Sequence, residues 1–310
     1  MVSKSLKLVL PATSANLGPA FDAAAVALDF YLTVQAQVSR KFTITAVGRD
    51  SHICANPRAN LILETYKEIM GIEGVRIKPL DLRIRNEIPI GKGCGSSAAA
   101  RLAGIALAVH FGNLSWSDCQ IIEEACQREQ HPDNAAACWM GGLTISRVVN
   151  GKFVGAVRVK TKGKWPLILV VPRESLATER ARQLLPTKYL TVDMVANIKN
   201  CFFLLAPLTQ GRKDLLRPAL ADYMHQPYRS TLCPLLLPLQ KLGMAGILGA
   251  VLSGAGPSVL VFLDTIVPVN TSVDNVQQYL REQGLSAELI CTAISAKGAC
   301  LSESDVVATC

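Results

Sequence analysis

The chain has 310 residues, of which 50% are hydrophobic and 18% are charged, and its formal net charge at pH 7 is +8. This composition excludes an intrinsically disordered chain, and the length suits two domains or one large domain. No run of Lys or Arg exceeds two residues and aromatic residues make up only 5%, so the charge predicts a surface biased toward anionic ligands and no nucleic-acid partner.

The first half of the chain is predicted to mix strands and helices. A strand over 6–10 leads into a loop, PATSANLGPAFD, and a further strand is predicted near 42–47 after the apolar segment AAAVALDFYLTVQAQV. Residues 60–70 fit a helix capped by Asn60. The alternating segment LDLRIRNEI then predicts a strand that leads into a glycine-rich loop.

The next predicted helix, SDCQIIEEACQREQ, opens with a capping box formed by Ser115 and Asp118. It ends at HPDN, after which AAACWMGGLTISRVV predicts a helix, a glycine turn and a strand. Residues 152–164 are basic and contain glycine, and WPLILVVP then predicts a buried strand that opens a second unit. We therefore predict one domain over 1–165 and a second over 166–310.

In the second half, the segments ATERARQLL, TVDMVANIKNCFFLLAPLTQ and RKDLLRPALADYM predict helices. Residues 243–263 are 21 residues without a charge, which is long enough for a membrane-spanning helix. Five glycines and Pro257 instead predict two buried strands around the tight loop SGAGPS, and no membrane span. The last predicted elements are a helix, NVQQYLREQG, and a strand, ELICTAI.

The ten cysteines include no CxxC pair. Four of them lie in apolar segments predicted to be helical, which indicates buried free thiols: Cys119, Cys126, Cys138 and Cys201. Free thiols persist in a reducing compartment, and the apolar run before Pro11 is too short for an export signal. The sequence therefore predicts a cytoplasmic protein.

The segment PIGKGCGSSAA lies between a predicted strand and the Ala-rich segment RLAGIALAVHF, which is predicted to be a helix. Glycines let backbone N–H groups turn inward, and a helix start leaves further N–H groups unpaired, so this order predicts an anion-binding loop. The alternative is a structural turn capped by serines, since the spacing fits neither a Walker loop nor GxGxxG. The loop comprises Pro89, Ile90, Gly91, Lys92, Gly93, Cys94, Gly95, Ser96, Ser97, Ala98 and Ala99.

Several polar residues outside this loop are candidates for a site. Asn16 and Asp22 lie in the first loop, which could equally be a structural turn. HPDN places His131 at a helix end. A zinc site there is a poor interpretation, because the chain has only four histidines and no second ligand pair has the spacing of a metal site. A carboxylate near a phosphate loop suits Mg²⁺, although each helical glutamate could instead be a solvated surface residue; the candidates are Glu123, Glu124 and Glu129. Arg182 and Arg229 would select a carboxylic acid if they converge.

Three segments, PATSANLGPAFD, PIGKGCGSSAA and LSGAGPSV, resemble the three motifs of the GHMP kinase family. The SANLG form of the first motif, HPDN, TxxARxxLP from Thr178 and HQPYR from His225 are similar to the homoserine kinase branch, and the resemblance covers residues 8–262. It implies an α+β fold of two domains, one like ribosomal protein S5 domain 2 and one ferredoxin-like, with the site in the cleft. It also implies direct phosphoryl transfer from Mg-ATP to L-homoserine, giving O-phospho-L-homoserine in threonine biosynthesis.

The resemblance implies a role for each motif of this chain. The glycine loop would wrap the ATP phosphates, and Ser97 with Glu129, or alternatively Glu123, would bind Mg²⁺. Asn16 would orient the acceptor hydroxyl, while Asp22 would bind the substrate ammonium or act as a general base. The amino-acid site would comprise Asn16, Asp22, His131, Asn134, Thr178, Arg182 and Arg229. The third motif would support the loop through Ser253, Gly254 and Gly256, and a homodimer is a further family expectation.

Three residues depart from the family pattern. Ala20 stands in place of a glycine and would cost about 1 to 2 kcal/mol if its φ were positive. Cys94 stands in place of a leucine, and a thiol beside a phosphate loop could have a lowered pKa and react with alkylating agents. Gln130 replaces the glycine before His131, which bears on the choice of glutamate. The alternative functions are a GHMP kinase for another small alcohol and a catalytically silent regulator.

Overall fold

The computed structural model describes residues 5–129 and 131–303. A seven-stranded sheet has the order β11–β1–β2–β4–β3, with β5 paired to the start of β2 and β6 paired to β5. All pairs are antiparallel except β3–β4. Its strands are β1 (Ser5–Ala15), β2 (Ala24–Val38), β3 (Thr43–Gly48), β4 (Leu80–Asn86), β5 (Leu143–Val149), β6 (Lys152–Val159) and β11 (Cys300–Ser302).

Five helices accompany this sheet: α1 (Ser51–Cys54), α2 (Leu61–Ile72), α3 (Ser96–Gly112), α4 (Asp118–Glu129) and α5 (Asp133–Met140). The predicted Asn60 cap is confirmed, because its side chain accepts a hydrogen bond from the Leu63 N–H at 3.0 Å. Helix α3 is rich in alanine and mostly buried, so it forms the centre of this layer. It lies close to α2, since a Cβ on Gly104 would meet the Ile62 carbonyl oxygen at 2.5 Å.

A second, four-stranded antiparallel sheet has the order β10–β7–β9–β8. Its strands are β7 (Pro166–Val171), β8 (Ile247–Leu252), β9 (Val259–Leu263) and β10 (Glu288–Ala293). Its helices are α6 (Thr178–Gln183), α7 (Thr191–Phe203), α8 (Leu205–Gln210), α9 (Leu216–Ala219), α10 (Gln226–Arg229), α11 (Leu236–Gln240) and α12 (Val269–Glu282). The prediction of two strands within 243–263 is confirmed, and in the described residues no helix is long and apolar enough to cross a membrane.

Strand β7 joins two apolar cores, which explains its unbroken run of apolar residues. Leu167 and Leu169 belong to the core shared with the first sheet, whereas Ile168 and Val170 pack with α11 and α12 in a smaller core. The second sheet is therefore covered on both faces, and the larger core continues from one sheet to the other.

Several sequence-based expectations need correction. Strand β1 continues through PATSA, so the predicted first loop begins only after Ala15. The cap of α4 is formed by Ser117 and Gln120 rather than Ser115 and Asp118, since each side chain accepts from the other residue's backbone N–H. Part of the basic segment 152–164, for which no element was predicted, forms β6, because Lys152–Val159 pair with β5 as a hairpin.

The end of the described chain returns to the first sheet, where β11 pairs with β1. The division at residue 165 stays a prediction, although the second sheet does begin at Pro166. Two cysteines expected to be buried are not, since Cys119 is exposed and Cys201 is only partly buried.

Candidate functional site

A cavity of 410 Å³ is lined by residues of the first sheet and its helices, and by residues of the helices and loops that accompany the second sheet. Most of the predicted site residues belong to its wall: Asn16, Asp22, Ile90, Gly91, Gly93, Cys94, Gly95, Ser96, Ser97, Glu129, His131, Asn134, Thr178, Arg182, Arg229 and Gly254. Six predicted residues do not line it: Pro89, Lys92, Ala98, Ala99, Ser253 and Gly256. The fold thus brings together segments that are far apart in the sequence.

Residues of the glycine loop line the cavity, and the loop leads into α3. Gly91, Gly93 and Gly95 have φ values of +70°, +77° and +70°, a left-handed conformation that glycine adopts without strain. At Gly93 a side chain is also excluded by space, since a Cβ would meet the Ser253 carbonyl oxygen at 2.2 Å. The loop therefore needs glycine for both its turn and its packing.

The third glycine-rich segment lies directly against this loop. The Ser253 hydroxyl donates to the Gly93 carbonyl oxygen at 2.7 Å, and the Gly254 N–H donates to the Ala15 carbonyl oxygen at 3.1 Å. These two bonds join the loop after β8 to the glycine loop and to the end of β1. All three glycine-containing motifs thus meet at one place.

The structure describes the surroundings of three motif residues on which the sequence raised questions. The Lys92 ammonium donates to the backbone carbonyl of Arg173 and lies outside the cavity wall. Burial raises the pKa of the Cys94 thiol to about 12, so the expected low-pKa, reactive thiolate is not present. Ala20 does not have a positive φ, so its Cβ causes no left-handed strain. The departure at Gln130 lies outside the described residues.

Asn16 connects the first and third motifs. Its Nδ2 donates to the Gly254 carbonyl oxygen at 2.8 Å, and its Oδ1 accepts from the Asp22 N–H at 2.9 Å. Its φ of +74° is a conformation that asparagine tolerates better than most residues. Because the side chain is buried and held at both ends, it is fixed before any ligand binds.

Asp22 and Arg182 form an ion pair in the wall, with Arg182 Nη2 donating to Asp22 Oδ1 at 2.8 Å. Burial and the nearby Asp133 raise the pKa of Asp22, and Arg182 opposes that shift. The two side chains were predicted to contact opposite charges of one ligand, but in this structure they contact each other.

The HPDN segment lies beside this pair, and its last two residues begin α5 rather than only ending α4. His131 Nδ1 is 3.0 Å from Asp133 Oδ1. Burial disfavours the charged imidazole, but the hydrogen bond and charge of Asp133 outweigh it and raise the pKa of His131. Asn134 is anchored to β1, because its Oδ1 accepts from the Thr13 hydroxyl at 2.6 Å.

Arg229 is 1% exposed, yet its guanidinium forms no ion pair in the part of the chain that the structure describes. Nε donates to the Ala181 carbonyl oxygen at 3.3 Å, and Nη1 reaches His225 Nδ1 at 3.3 Å and the Gly254 carbonyl oxygen at 3.5 Å. Nη2 has no protein acceptor among the described residues, although Arg229 lines the cavity. A buried cation without an anion is costly, so this arrangement suits an anionic ligand.

Ser97 and Glu129 meet at the start of α3. The Ser97 hydroxyl donates to Glu129 Oε1 at 2.6 Å, and Arg101 Nε donates to the same oxygen at 2.7 Å. Glu124 instead accepts from Arg128 at 2.8 Å, and neither it nor Glu123 lines the cavity. Of the three candidate glutamates, Glu129 is therefore the one beside the glycine loop.

Sequence reasoning missed the apolar end of the cavity. There the wall consists of aliphatic side chains from α1, α2 and β4, including Ile53, Leu61, Ile62 and Ile84. These residues follow the ordinary pattern of a core, so the sequence contains no signal that separates them from other buried positions. The irregular segment that precedes Leu61, which contains Asn and Pro, is the sequence feature that could have indicated a cavity there.

Comparisons with known proteins identify the family of this chain. Residues 60–142 match the family described as GHMP kinases N terminal domain. Homoserine kinase of Solibacter usitatus is 40% identical over 94% of this chain and 95% of its own, and that of Synechocystis is 33% identical over 96% and 99%. That of Deinococcus radiodurans is 32% identical over 93% of this chain and 94% of its own.

Solved structures agree in fold. A homoserine kinase from Cytophaga hutchinsonii has a TM-score of 0.80 at 22% identity and covers 97% of this chain and 98% of its own. A mevalonate kinase from L. major has a TM-score of 0.71 at 15% identity, with coverages of 94% and 96%. The predicted two-domain α+β fold of the GHMP kinases is confirmed. Given relatives at up to 40% identity along its length, the chain belongs to the homoserine kinase family of the GHMP kinases.

Proposed function

We propose that this chain transfers the γ-phosphoryl group of ATP to the side-chain hydroxyl of L-homoserine, giving O-phospho-L-homoserine and ADP, a step of threonine biosynthesis. The observation that carries the acceptor assignment is the buried Arg229, whose Nη2 has no acceptor among the described residues at the cavity wall. A carboxylate there would accept charge-assisted hydrogen bonds from Nη2 and would supply the acceptor that this nitrogen lacks. The substrate ammonium would be bound by Asp22, which lies in the same wall.

Nucleotide binding is assigned to the glycine loop and the apolar end. Backbone N–H groups of the loop and the start of α3 favour phosphate oxygens. The aliphatic wall beyond the loop suits an adenine ring, which is planar and apolar on both faces. In this proposal the γ-phosphate lies near the loop and the acceptor hydroxyl lies on the side of the polar residues. Lys92 takes no part in this proposal, because it donates to Arg173 outside the cavity.

Mg²⁺ is expected with the nucleotide, and the residues present fit it. Ser97 and Glu129 supply a hydroxyl and a carboxylate oxygen within hydrogen-bond distance of each other, and hard cations take oxygen ligands. Mg²⁺ is normally bound by one or two carboxylates together with substrate phosphates, so a single glutamate suffices. When bound, the ion would neutralise phosphate charge during transfer.

No side chain is assigned as an obligatory base. Asp22 is already paired with Arg182 and would also face the substrate ammonium, so its proposed role is binding. The buried, doubly hydrogen-bonded Asn16 supports a fixed position for the acceptor hydroxyl, which is the main requirement of phosphoryl transfer. Asp22→Asn separates the two roles: an intact kcat with a raised KM for L-homoserine supports binding, whereas loss of kcat at saturation supports a base.

The assay that tests the function measures ADP release with four alternative phosphoryl acceptors. L-Homoserine should give the highest kcat/KM, while L-serine lacks one methylene, L-threonine has a hindered hydroxyl and mevalonate lacks the ammonium group. Higher activity with mevalonate or another alcohol would favour the alternative kinase. No ADP release above background with any acceptor would favour a silent regulator.

A homodimer in the cytoplasm is the remaining part of the proposal. Val195, Ile198 and Phe202 follow one face of α7 and are 44%, 50% and 74% exposed, an apolar stripe that suits a second copy of the same surface. The nine cysteines of the described residues are all free, which favours a reducing compartment. Sedimentation of wild type and Phe202→Asp tests the dimer, since the carboxylate would disrupt an apolar contact.

A further inference from the structure

His225 is completely buried just before α10, and its two ring nitrogens face two different parts of the site. Nδ1 is 3.3 Å from Arg229 Nη1, and Nε2 is 2.9 Å from the Gly18 carbonyl oxygen. Because a guanidinium only donates hydrogen bonds, Nδ1 must accept. The ring hydrogen is therefore on Nε2, where it is donated to Gly18.

The surroundings of the ring keep it uncharged. Burial and the Arg229 cation lower the pKa of His225, while Asp222, 3.4 Å from Nε2, acts in the opposite direction. Asp222 is itself occupied, because it accepts backbone N–H bonds from Met224, His225 and Gln226. From the first motif, the ring faces the uncharged Gly18 carbonyl and the Phe21 ring, which is stacked on it at 5.2 Å.

Arg229 has three anchors, and His225 differs from the other two. Ala181 and Gly254 each hold it by a backbone carbonyl, whereas His225 holds Nη1 by a side chain whose far nitrogen is bonded to Gly18. Gly18 belongs to the turn that also contains Asp22. Through one imidazole, Arg229 is thus connected to the turn that contains the carboxylate assigned to the substrate ammonium.

The geometry points to His225 as a positioning residue. It directs Arg229 Nη2 at the substrate carboxylate and fixes the distance between Arg229 and the ammonium site. This inference rests on the proposed role of Arg229. The ring does not touch the substrate; it holds the guanidinium by accepting at Nδ1, so that the two hydrogens of Nη2 remain for the ligand. Removing the acceptor should therefore weaken recognition of the carboxylate specifically.

The test compares L-homoserine with (S)-2-amino-1,4-butanediol, in which a hydroxymethyl group replaces the carboxylate. The measured quantity is the ratio of kcat/KM for the two acceptors. His225→Phe keeps an aromatic ring against Phe21 but has no acceptor, so the ratio should fall about tenfold, as expected for one hydrogen bond to a charged group. The KM for ATP should stay within about twofold, since no nucleotide contact is altered.

Two further substitutions make the result independent of folding defects in that variant. The amide of His225→Asn lies near the Nδ1 position and can still accept from Arg229, whereas that of His225→Gln lies near Nε2 and can still donate to Gly18. The ratio should be largely retained in the Asn variant and reduced in the Gln variant. Equal ratios in these two variants would overturn the inference.

Asn197→Ala is the matched structural control. Asn197 joins the same two segments, donating to the Pro19 carbonyl oxygen at 2.9 Å and accepting from the Tyr223 N–H at 3.0 Å, but it has no hydrogen bond to Arg229. Its loss should lower the melting temperature and leave the acceptor ratio unchanged. A reduced ratio in this variant would mean that His225 acts only by general stabilisation of the segment, which would contradict the inference.

Arg229→Gln distinguishes failure of this inference from failure of the proposed function. If Arg229→Gln lowers the ratio but His225→Phe does not, only the role of His225 is wrong. If Arg229→Gln also leaves the ratio unchanged, the assignment of the carboxylate to Arg229 is itself wrong. In the double variant with both Arg229→Gln and His225→Phe, the two reductions of the ratio should not add, because both substitutions remove the same contact between Arg229 and the carboxylate.

Discussion

At one end of the cavity the wall is aliphatic, with Ile53, Leu61 and Ile62 among its side chains, and it offers shape without charge. At the other end Asn16, Asp22 and Arg182 belong to a set of polar side chains that bond to one another or to backbone groups. Residues of the glycine loop line the same cavity. The two ends share this cavity, and we expect them to recognise ligands by different physical means.

The difference teaches where selectivity should be found. A hydrophobic pocket discriminates weakly between ligands of similar size, because a change of one methylene alters binding only modestly. A site built from buried charges rejects a ligand that leaves one of them unpaired. We therefore expect the polar end to determine the acceptor and the aliphatic end to tolerate change.

The loop between the ends should be the most sensitive position. Gly93→Ala combines a left-handed φ of +77° with a Cβ that would meet backbone oxygens at 2.2 and 2.7 Å. Strain and overpacking together should lower the free energy of unfolding by about 2 to 5 kcal/mol. They should also weaken the binding of both ATP and L-homoserine. Chemical denaturation and the two KM values measure this.

Gly91→Ala is the matched control, because φ is +70° but the nearest atom, Ser175 Cβ, is at an ordinary 3.4 Å. It should show only the conformational cost, about 1 to 2 kcal/mol. Equal losses in the two variants would contradict the argument that the third motif packs on Gly93.

At the polar end, Arg229→Gln should reduce kcat/KM for L-homoserine about a hundredfold. Two charge-assisted hydrogen bonds to the carboxylate would be lost, each worth about 1.5 to 3 kcal/mol, partly replaced by the amide. The KM for ATP should change little. A similar rise in the KM values for L-homoserine and for ATP would contradict the assignment of the two substrates to different ends of the cavity.

Glu129→Gln examines the metal assignment on the loop side. The Mg²⁺ concentration required for half-maximal rate should rise at least about tenfold, as it does when metal-site carboxylates are altered. Titration calorimetry of Mg-ADP provides a second measurement that does not depend on turnover. Glu124→Gln is the control, because Glu124 pairs with Arg128 outside the cavity wall and should leave the Mg²⁺ requirement unchanged.

Ile53→Ala should produce the smallest effect. Ile53 is 42% exposed in the free protein, so stability should change by less than about 0.5 kcal/mol. Loss of apolar contact with the nucleotide should raise the KM for ATP about threefold to tenfold and leave the KM for L-homoserine as it was. An unchanged KM for ATP would place the adenine elsewhere.

The polar end could be found from the sequence because its residues are unusual. Gly, Asn and Asp after an apolar strand occur for specific backbone reasons, because they favour turns. Asn16 and the loop glycines indeed have positive φ values, which is a local property. The pairing of Asp22 with Arg182 could not be predicted, because it depends on how two sheets pack rather than on either segment.

The aliphatic end was not predicted because Ile62 and Ile84 satisfy the pattern of any core helix or strand. Likewise, the free N–H groups before α4 could be capped by either of two serines, and only the backbone geometry selects Ser117. No strand was predicted over residues 152–159 because β6 is an edge strand in which exposed Lys152, Val157 and Arg158 are irregularly mixed with partly buried residues. Exposure on an edge removes the apolar alternation that normally identifies a strand.

The short strand β11 determines when the first sheet can be completed as the chain is synthesised. It pairs with β1, so the first and last described strands of the chain are neighbours, and the second sheet lies between them in sequence. Until the last strand emerges, β1 presents an open edge that invites pairing with other chains. A fragment that ends at residue 165 should therefore aggregate, even though it contains the whole glycine loop.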